Sequence, residues 1–462
     1  MTQQPSSEHS GAADASLVVE PKARTQRVCI ISLTSVVQEP RVLRQISAFL
    51  EKGWLVTVVG YSHGKQPPDT WDFIEADLKL LPDRSGRVRP PETRRIRQMV
   101  LSDPLAAARR ISEILVAHAR RAVPKLRVRL PLASPIDRPW SWREARKHFY
   151  RDKATRNLKR YLIAKVPPCD LVIAHDYFTY ILADDVAKRR GARLGLDCHE
   201  YALQQYDYAK NPDHDARNYW LTVTRPYVDA LQRHCFNSAN VVSTVCDGIA
   251  DLLTADYKLA QRPVVVRSTP FYERMPFRPC GETIEIVYHG LITPTRNLDI
   301  AVRALVLCRE EFQLTMRGPA DPNYDRELLD LAKQLGVAHR FTIAPPVPFA
   351  DLVASANQAD IGYFAFDVFS NQRKYTLPNK FFEYIMSGLA LVVMDVPELS
   401  KIIRKHKNGK LVAEFDAETI ANSINSLTRC DIEEMKRNSL KAAESLCWEV
   451  EQKVFLEGYR IS

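Results

Sequence analysis

The sequence predicts an α/β protein of two doubly wound domains in series, facing a central cleft, with helices at the C-terminal end. Three observations carry this. The chain has 462 residues, about three times the usual single-domain length. Strand-sized apolar runs alternate with amphipathic helix-sized segments from residue 26 onward, the pattern of βαβ units and parallel sheets. Beyond a basic insertion in the first half, the alternation breaks where Pro270, Pro276, Pro279 and Gly281 mark a linker, and then restarts. The expected organisation is a disordered tail at 1–25, a first domain at 26–275 with a basic insertion at 84–160, a second domain at 282–440, and a C-terminal helix at 441–462 that packs back on the first domain.

In the first half, residues 28–33 read as a buried strand rich in β-branched residues. Residues 40–52 read as a helix, because Val42, Leu43, Ile46, Phe49 and Leu50 recur at helical spacing and Gly53 closes it. Residues 54–59 form the next strand. After the basic insertion the alternation resumes with strand 171–174, helix 178–190 stopped by Gly191, strand 192–196, a long helical segment at 216–236, strand 241–245, helix 248–257 and strand 263–266. In the second half the strands fall at 284–288, 312–316, 341–343, 361–364 and 389–394. The intervening helices fall at 298–308, 326–335, 349–357 and 380–386, and the tail from 416 to 459 is mostly helical. Ligands of such sheets bind outside the carboxyl ends of the strands, so two facing halves suit a two-substrate reaction.

Composition narrows the class. Apolar content of 45% and charged content of 26% are those of a globular protein. No apolar run approaches the ~20 residues that span a bilayer, and the polar first 25 residues lack the pattern of a signal peptide. The nine cysteines are scattered without a Cys-x-x-Cys pair. They read as small core residues, Cys29, Cys169, Cys246 and Cys308 among them, and not as disulfide partners or metal ligands. A cytoplasmic protein is expected. Net charge is +10, but unevenly spread: residues 84–160 hold 22 Lys and Arg against 6 Asp and Glu, while the rest holds 43 against 49. In that segment Arg94, Arg95, Arg97, Arg109, Arg110, Arg120 and Arg121 interleave with Ile96, Met99, Val100, Leu101, Leu105, Ile111, Ile114 and Leu115. The mixture suits a helix lying on an anionic membrane surface at the inner face of the cell membrane, with Trp140 and Trp142 as amphipathic anchors. A plain solvated surface is the alternative, and nucleic acid is disfavoured.

The stretch most informative for chemistry is residues 377–398, LPNKFFEYIMSGLALVVMDVPE. Pro378 starts a helix whose free N–H groups would face an anion. Lys380 adds a mobile positive charge. Glu383, one turn on from Asn379, can accept hydrogen bonds from ribose hydroxyls, and Gly388 stops the helix. On spacing alone, a surface helix with an Asn379–Glu383 pair explains the stretch as well.

The stretch resembles the donor-site signature of the family 4 retaining glycosyltransferases, which have the GT-B fold of two Rossmann-like domains. Tyr288-His289-Gly290, six residues before Arg296, is similar to that family's glycine turn and basic residue at the donor diphosphate. Gly318 resembles its second glycine turn. Ala174-His175-Asp176 and Asp197-Cys198-His199-Glu200 look like two strand-end motifs of its first domain. The resemblance implies a nucleotide-sugar donor held by Gly290, Arg296, Gly318, Pro378, Asn379, Lys380 and Glu383, with Glu383 on the ribose and Arg296 on the leaving diphosphate. It implies an acceptor side made by His175, Asp176, His199 and Glu200, with His199 beside the reacting centre. His199, Arg296 and Glu383 are the expected catalytic residues, in a hexosyl transfer with retention. The acceptor is expected to be lipid-linked or another saccharide, in cell-envelope or exported-polysaccharide assembly.

Two positions depart from the family pattern. Tyr375 stands where a second glutamate is usual, and Leu291 where an arginine is frequent. Asn371, Gln372, Arg373, Lys374 and Arg317 are the candidates to compensate. The adjacent Asp184 and Asp185 fall mid-helix, and the histidines lack paired ligand spacing. No metal and no cofactor are therefore expected. The competing readings are a nucleotide-sugar epimerase and a non-catalytic nucleotide-sugar-binding scaffold. A dinucleotide-dependent oxidoreductase is disfavoured, because no Gly-x-Gly-x-x-Gly follows the first strand.

Overall fold

The computed structural model describes residues 25–62, 64–65, 67–76, 139–205 and 220–461. The expected tail at 1–24, the arginine-aliphatic segment from Arg94 to Arg121 and the first four residues of the expected 216–236 helix lie outside the described residues.

The first sheet has seven parallel strands: β1 (Arg27–Ser35), β2 (Leu55–Tyr61), β3 (Asp72–Glu75), β4 (Leu171–His175), β5 (Arg193–Cys198), β6 (Val241–Thr244) and β7 (Val264–Val265). Their order is β3-β2-β1-β4-β5-β6-β7. Its helices are α1 (Pro40–Glu51), α2 (Trp142–Phe149), α3 (Lys153–Lys165), α4 (Tyr180–Arg190), α5 (Arg225–Ser238) and α6 (Asp247–Tyr257). The second sheet has six: β8 (Ile284–His289), β9 (Phe312–Arg317), β10 (Phe341–Ala344), β11 (Ile361–Phe364), β12 (Ala390–Met394) and β13 (Gly409–Val412), in the order β10-β9-β8-β11-β12-β13. Around it run α7 (Asp299–Leu307), α8 (Tyr324–Gln334), α9 (Leu352–Ala356), α10 (Asn371–Lys374), α11 (Asn379–Met386), α12 (Pro397–His406), α13 (Ala417–Asn425) and α14 (Arg429–Ala443). In both sheets the winding reverses once, between β1 and β4 and between β8 and β11. Such reversals open a crevice at the carboxyl edge.

The apolar runs became the strands because burial on both faces demands it: Val28 to Ile31 in β1 and Leu391 to Val393 in β12 are fully buried. Local chemistry set the helix ends. Pro40 occupies the first turn of α1, and Gly191 closes α4 in the left-handed region at φ 66°. The short edge strands β3 and β13 were not foreseen. β3 pairs only with β2, and neither carries a long apolar run.

The last helix, α15 (Trp448–Gly458), leaves the second domain and packs on the first. Phe455 meets Phe49 edge-on at 5.6 Å, and Trp448, Phe455 and Tyr459 complete a core cluster with Val28, Ile30 and Phe49. Each such buried side chain contributes ~1.5–3 kcal/mol. Glu451 binds the Arg267 side chain, and the Tyr459 carbonyl accepts from Arg193 at 2.6 Å.

The end of the basic segment is built into the first domain. Leu158 and Leu162 on α3 are fully buried, and Arg146 and Lys159 pair with Asp185 on α4. Trp140 and Trp142, expected as membrane anchors, are half-buried and engaged. Trp142 stacks on His234 at 3.9 Å, and Trp140 lies edge-on to His148 and Tyr227. Aromatic pairing within the domain satisfies these rings. Among the described residues, no helix is long and apolar enough to cross a membrane.

Candidate active site between the two sheets

The carboxyl ends of both sheets contribute to one cavity of about 280 Å³. From the first domain it is lined by Glu39, Arg41, His199 and Glu200, and from the second by Gln372, Leu377, Pro378 and Asn379. Each wall holds its own polar cluster.

On the first wall, β4 and β5 pair so that His175 sits opposite Asp197. Residues more than 20 apart in sequence thereby converge. His175 Nδ1 lies 2.9 Å from His199 Nε2. Asp176 adopts φ 60°, a conformation tolerated because its carboxylate accepts the His199 backbone N–H at 3.1 Å and faces His199 Nδ1 at 3.5 Å. Asp197 is fully buried. Its two oxygens accept two bonds from Arg41 at 2.7 Å, one from Gln45 at 2.7 Å and one from Ser243 at 2.8 Å. Burial alone would raise the Asp197 carboxyl, but Arg41 and His199 hold it well below the usual carboxylate range. Burial likewise works against charge on His199, yet Asp176 and Asp197 push that imidazole up to about 9. His175, desolvated, falls to about 3 and is neutral. Glu200 is pushed up to about 7 by burial and Asp176. The wall therefore presents a fixed imidazolium beside a carboxyl poised near neutrality.

His175, Asp197 and His199 also bring three potential metal-ligand atoms within 4.8 Å of one another, a convergence that linear spacing did not reveal. The donor set argues for hydrogen bonding over metal ligation. The Asp197 oxygens are already taken by four donors, and a guanidinium beside the carboxylate opposes a second cation.

On the second wall, β8 ends at His289 and Gly290. Gly290 (φ 136°) and Gly318 (φ 149°) both need glycine. A Cβ on Gly318 would meet the Gly290 carbonyl oxygen at 2.0 Å, and one on Gly290 would meet Lys380 Nζ at 2.7 Å. The Lys380 ammonium lies over the Tyr288 ring at 3.9 Å. Burial and the nearby Arg296 push it down to about 7. Arg296 ends the short turn Pro294–Arg296 and is half-exposed. Lys380 and Arg296 bring two cations to the glycine turns, with Glu383 acting on Lys380 and Arg296 acting on Glu200; such a concentration of positive charge suits an anion. The N-terminus of α11 opens beside them: its N-cap, Pro378, supplies no side-chain acceptor.

Glu383 departs from the surface-helix alternative in its surroundings. It is buried, and its Oε2 lies 2.7 Å from His289 Nε2; it is not paired with Asn379 on a surface. His289 is positioned in turn by its backbone N–H, which donates to Tyr384 Oη at 2.9 Å. Of the expected site residues, Pro378 and Asn379 of the second domain and His199 and Glu200 of the first line the cavity; Gly290, Gly318, Arg296, Lys380 and Glu383 lie in the cluster behind the former pair, and His175 and Asp176 in the cluster behind the latter. Sequence reasoning missed Arg41 and Gln45, and gave Asp197 no role of its own. The available signal was charge on the apolar face of α1, where Arg41, Arg44 and Gln45 are buried beside Val42 and Ile46.

Two parallel, doubly wound sheets closing on one cleft define the GT-B fold. Residues 283–429, within the second domain, match the model of the family described as Glycosyl transferases group 1. Sucrose-phosphate synthase from Thermosynechococcus elongatus superposes with a TM-score of 0.62 at 13% identity, covering 94% of this chain and 98% of that one. HepE of Anabaena, solved in complex with UDP-glucose, gives 0.59 at 10% identity, covering 94% and 100%. These likenesses are of fold. In sequence, the chain is 29% identical over 190 residues to the D-inositol 3-phosphate glycosyltransferase of Nocardia farcinica, a match that spans 39% of this chain and 40% of that relative.

Proposed function

We propose that the protein transfers a hexosyl group from a nucleotide-sugar donor to a saccharide acceptor, with retention and without a metal ion. The observation that carries this is the pairing of Lys380 and Arg296 at the glycine turns and the open N-terminus of α11. As the glycosidic bond breaks, negative charge builds on the leaving diphosphate. Fixed cations and helix N–H groups answer that charge without reorganisation. Glu383, held by His289, takes the ribose hydroxyls. Across the cleft, the His199 imidazolium and Glu200 contact the sugar and the acceptor. The leaving phosphate oxygen accepts the acceptor's proton as the new bond forms on the same face. The match to the family Glycosyl transferases group 1 and the UDP-glucose complex of HepE support a nucleotide-sugar donor.

The acceptor we infer is lipid-linked, in envelope or exported-polysaccharide assembly at the inner face of the cell membrane. The support is the arginine-aliphatic composition of residues 84–138. The test combines a nucleotide-sugar panel with membrane-lipid extracts in EDTA, scoring nucleoside diphosphate release and the anomeric configuration of the product. Acceptor-dependent release with retained configuration supports the reading. Conversion of the donor to a stereoisomer without acceptor identifies an epimerase. Binding without either reaction identifies a scaffold.

A further inference from the structure

The N-terminus of α6, in the first domain, is capped from the second. Its own N-cap residue, Cys246, offers no side-chain acceptor to the first turn; the thiol instead donates to the Tyr375 carbonyl at 3.1 Å. The Gly248 N–H donates to Glu398 Oε1 at 2.7 Å, across 150 residues of sequence. Glu398 opens α12 and is 8% exposed. Gly248 has no room for a side chain, because a Cβ would meet the Tyr375 ring at 2.0 Å. A carboxylate on a helix N–H satisfies an orphan donor and complements the helix dipole, and burial limits its screening by salt. Beside it, Lys401 pairs with Asp247 at 2.9 Å, but both are largely exposed and contribute little. Past Tyr375 the chain runs through Thr376 and Leu377 to Pro378, which line the cavity.

We propose that Glu398 is a positioning residue for the transfer reaction: by capping α6 across the cleft, it fixes the distance between the donor wall and the His199–Glu200 wall. This rests on the transferase reading of the cleft. Glu398 touches neither substrate and acts through domain spacing.

The test compares full-length Glu398→Ala, Glu398→Gln and Lys401→Ala with the parent protein. Hydrogen exchange at the Gly248 amide, the X-ray scattering radius, donor Kd and kcat are measured. In Glu398→Ala the Gly248 amide is expected to exchange about five- to tenfold faster, the radius to increase and kcat to fall, while donor Kd stays within about twofold. Glu398→Gln, which keeps an acceptor oxygen, is expected to recover most of each loss. Lys401→Ala is expected to match the parent. Unchanged exchange and radius in Glu398→Ala would overturn the proposal, as would an equal loss of donor affinity and kcat. If the parent turns over no nucleotide sugar, the transferase reading fails, while exchange and scattering still decide whether Glu398 holds the cleft.

Discussion

Lys380 carries the clearest consequence at the scale of single residues. The side chain is half-buried, and desolvation and Arg296 push its ammonium down to about 7. A bound diphosphate favours the charged form. Donor binding at pH 8 should therefore take up a proton, and affinity should weaken as pH rises above about 7. Calorimetry in two buffers of different ionisation enthalpy checks this, and Lys380→Met should abolish the uptake. Glu383→Ala should weaken donor binding by at least tenfold, because charge-assisted hydrogen bonds contribute ~1.5–3 kcal/mol; unchanged donor affinity would remove the ribose role. Gly318→Ala meets the Gly290 carbonyl oxygen at 2.0 Å and should distort the donor turn. We expect a loss of about 1–3 kcal/mol of stability together with donor affinity, read by denaturant unfolding. These positions were singled out by the resemblance of their stretches to a family's donor-site motifs, because on spacing alone a surface helix explains residues 377–398 as well. The His289–Glu383 contact was not, since 94 residues separate the pair and only the tertiary fold brings α11 to the end of β8.

At the scale of elements, the ends of β4 and β5 and the apolar face of α1 act as one unit. Arg41 and Gln45 reach from α1 to Asp197, which in turn supports the two histidines. Arg41→Ala leaves a buried carboxylate without its main partner and should cost ~3–5 kcal/mol in chemical denaturation. The pH dependence follows from the directions of the shifts. The Asp197 carboxyl is depressed in the folded state, so its stabilisation is present above the unfolded value of ~4 and is lost as pH falls through its folded value. His199 is raised to about 9, so its contribution is complete below the unfolded value of ~6.5 and is lost as pH rises through about 9. The joint contribution of these two groups is expected to be greatest from about pH 4 to 6.5 and to fall off on both sides; Asp176→Asn should shrink the part lost on the alkaline side. The central strands and α1 were legible from periodicity. The histidine cluster was not, because the β4–β5 register that aligns His175 with Asp197 is a tertiary fact.

At the scale of the molecule, two sheets with matching strand orders close on one cleft, and α15 ties the second domain back to the first. The two-domain plan was readable from the repeated βαβ pattern and the proline-rich break. The contact of Tyr375 with Gly248 was not, because it depends on how the domains meet. On the proposed function, the second domain binds a nucleotide sugar without metal. The most direct measurement is thermal unfolding in EDTA against a panel of nucleotide sugars, free nucleotides and NAD(P), with Glu383→Ala in parallel. A rise in Tm with one nucleotide-sugar series, lost in Glu383→Ala, is the expected result. No rise with any nucleotide sugar, or a rise with NAD(P) alone, would contradict it.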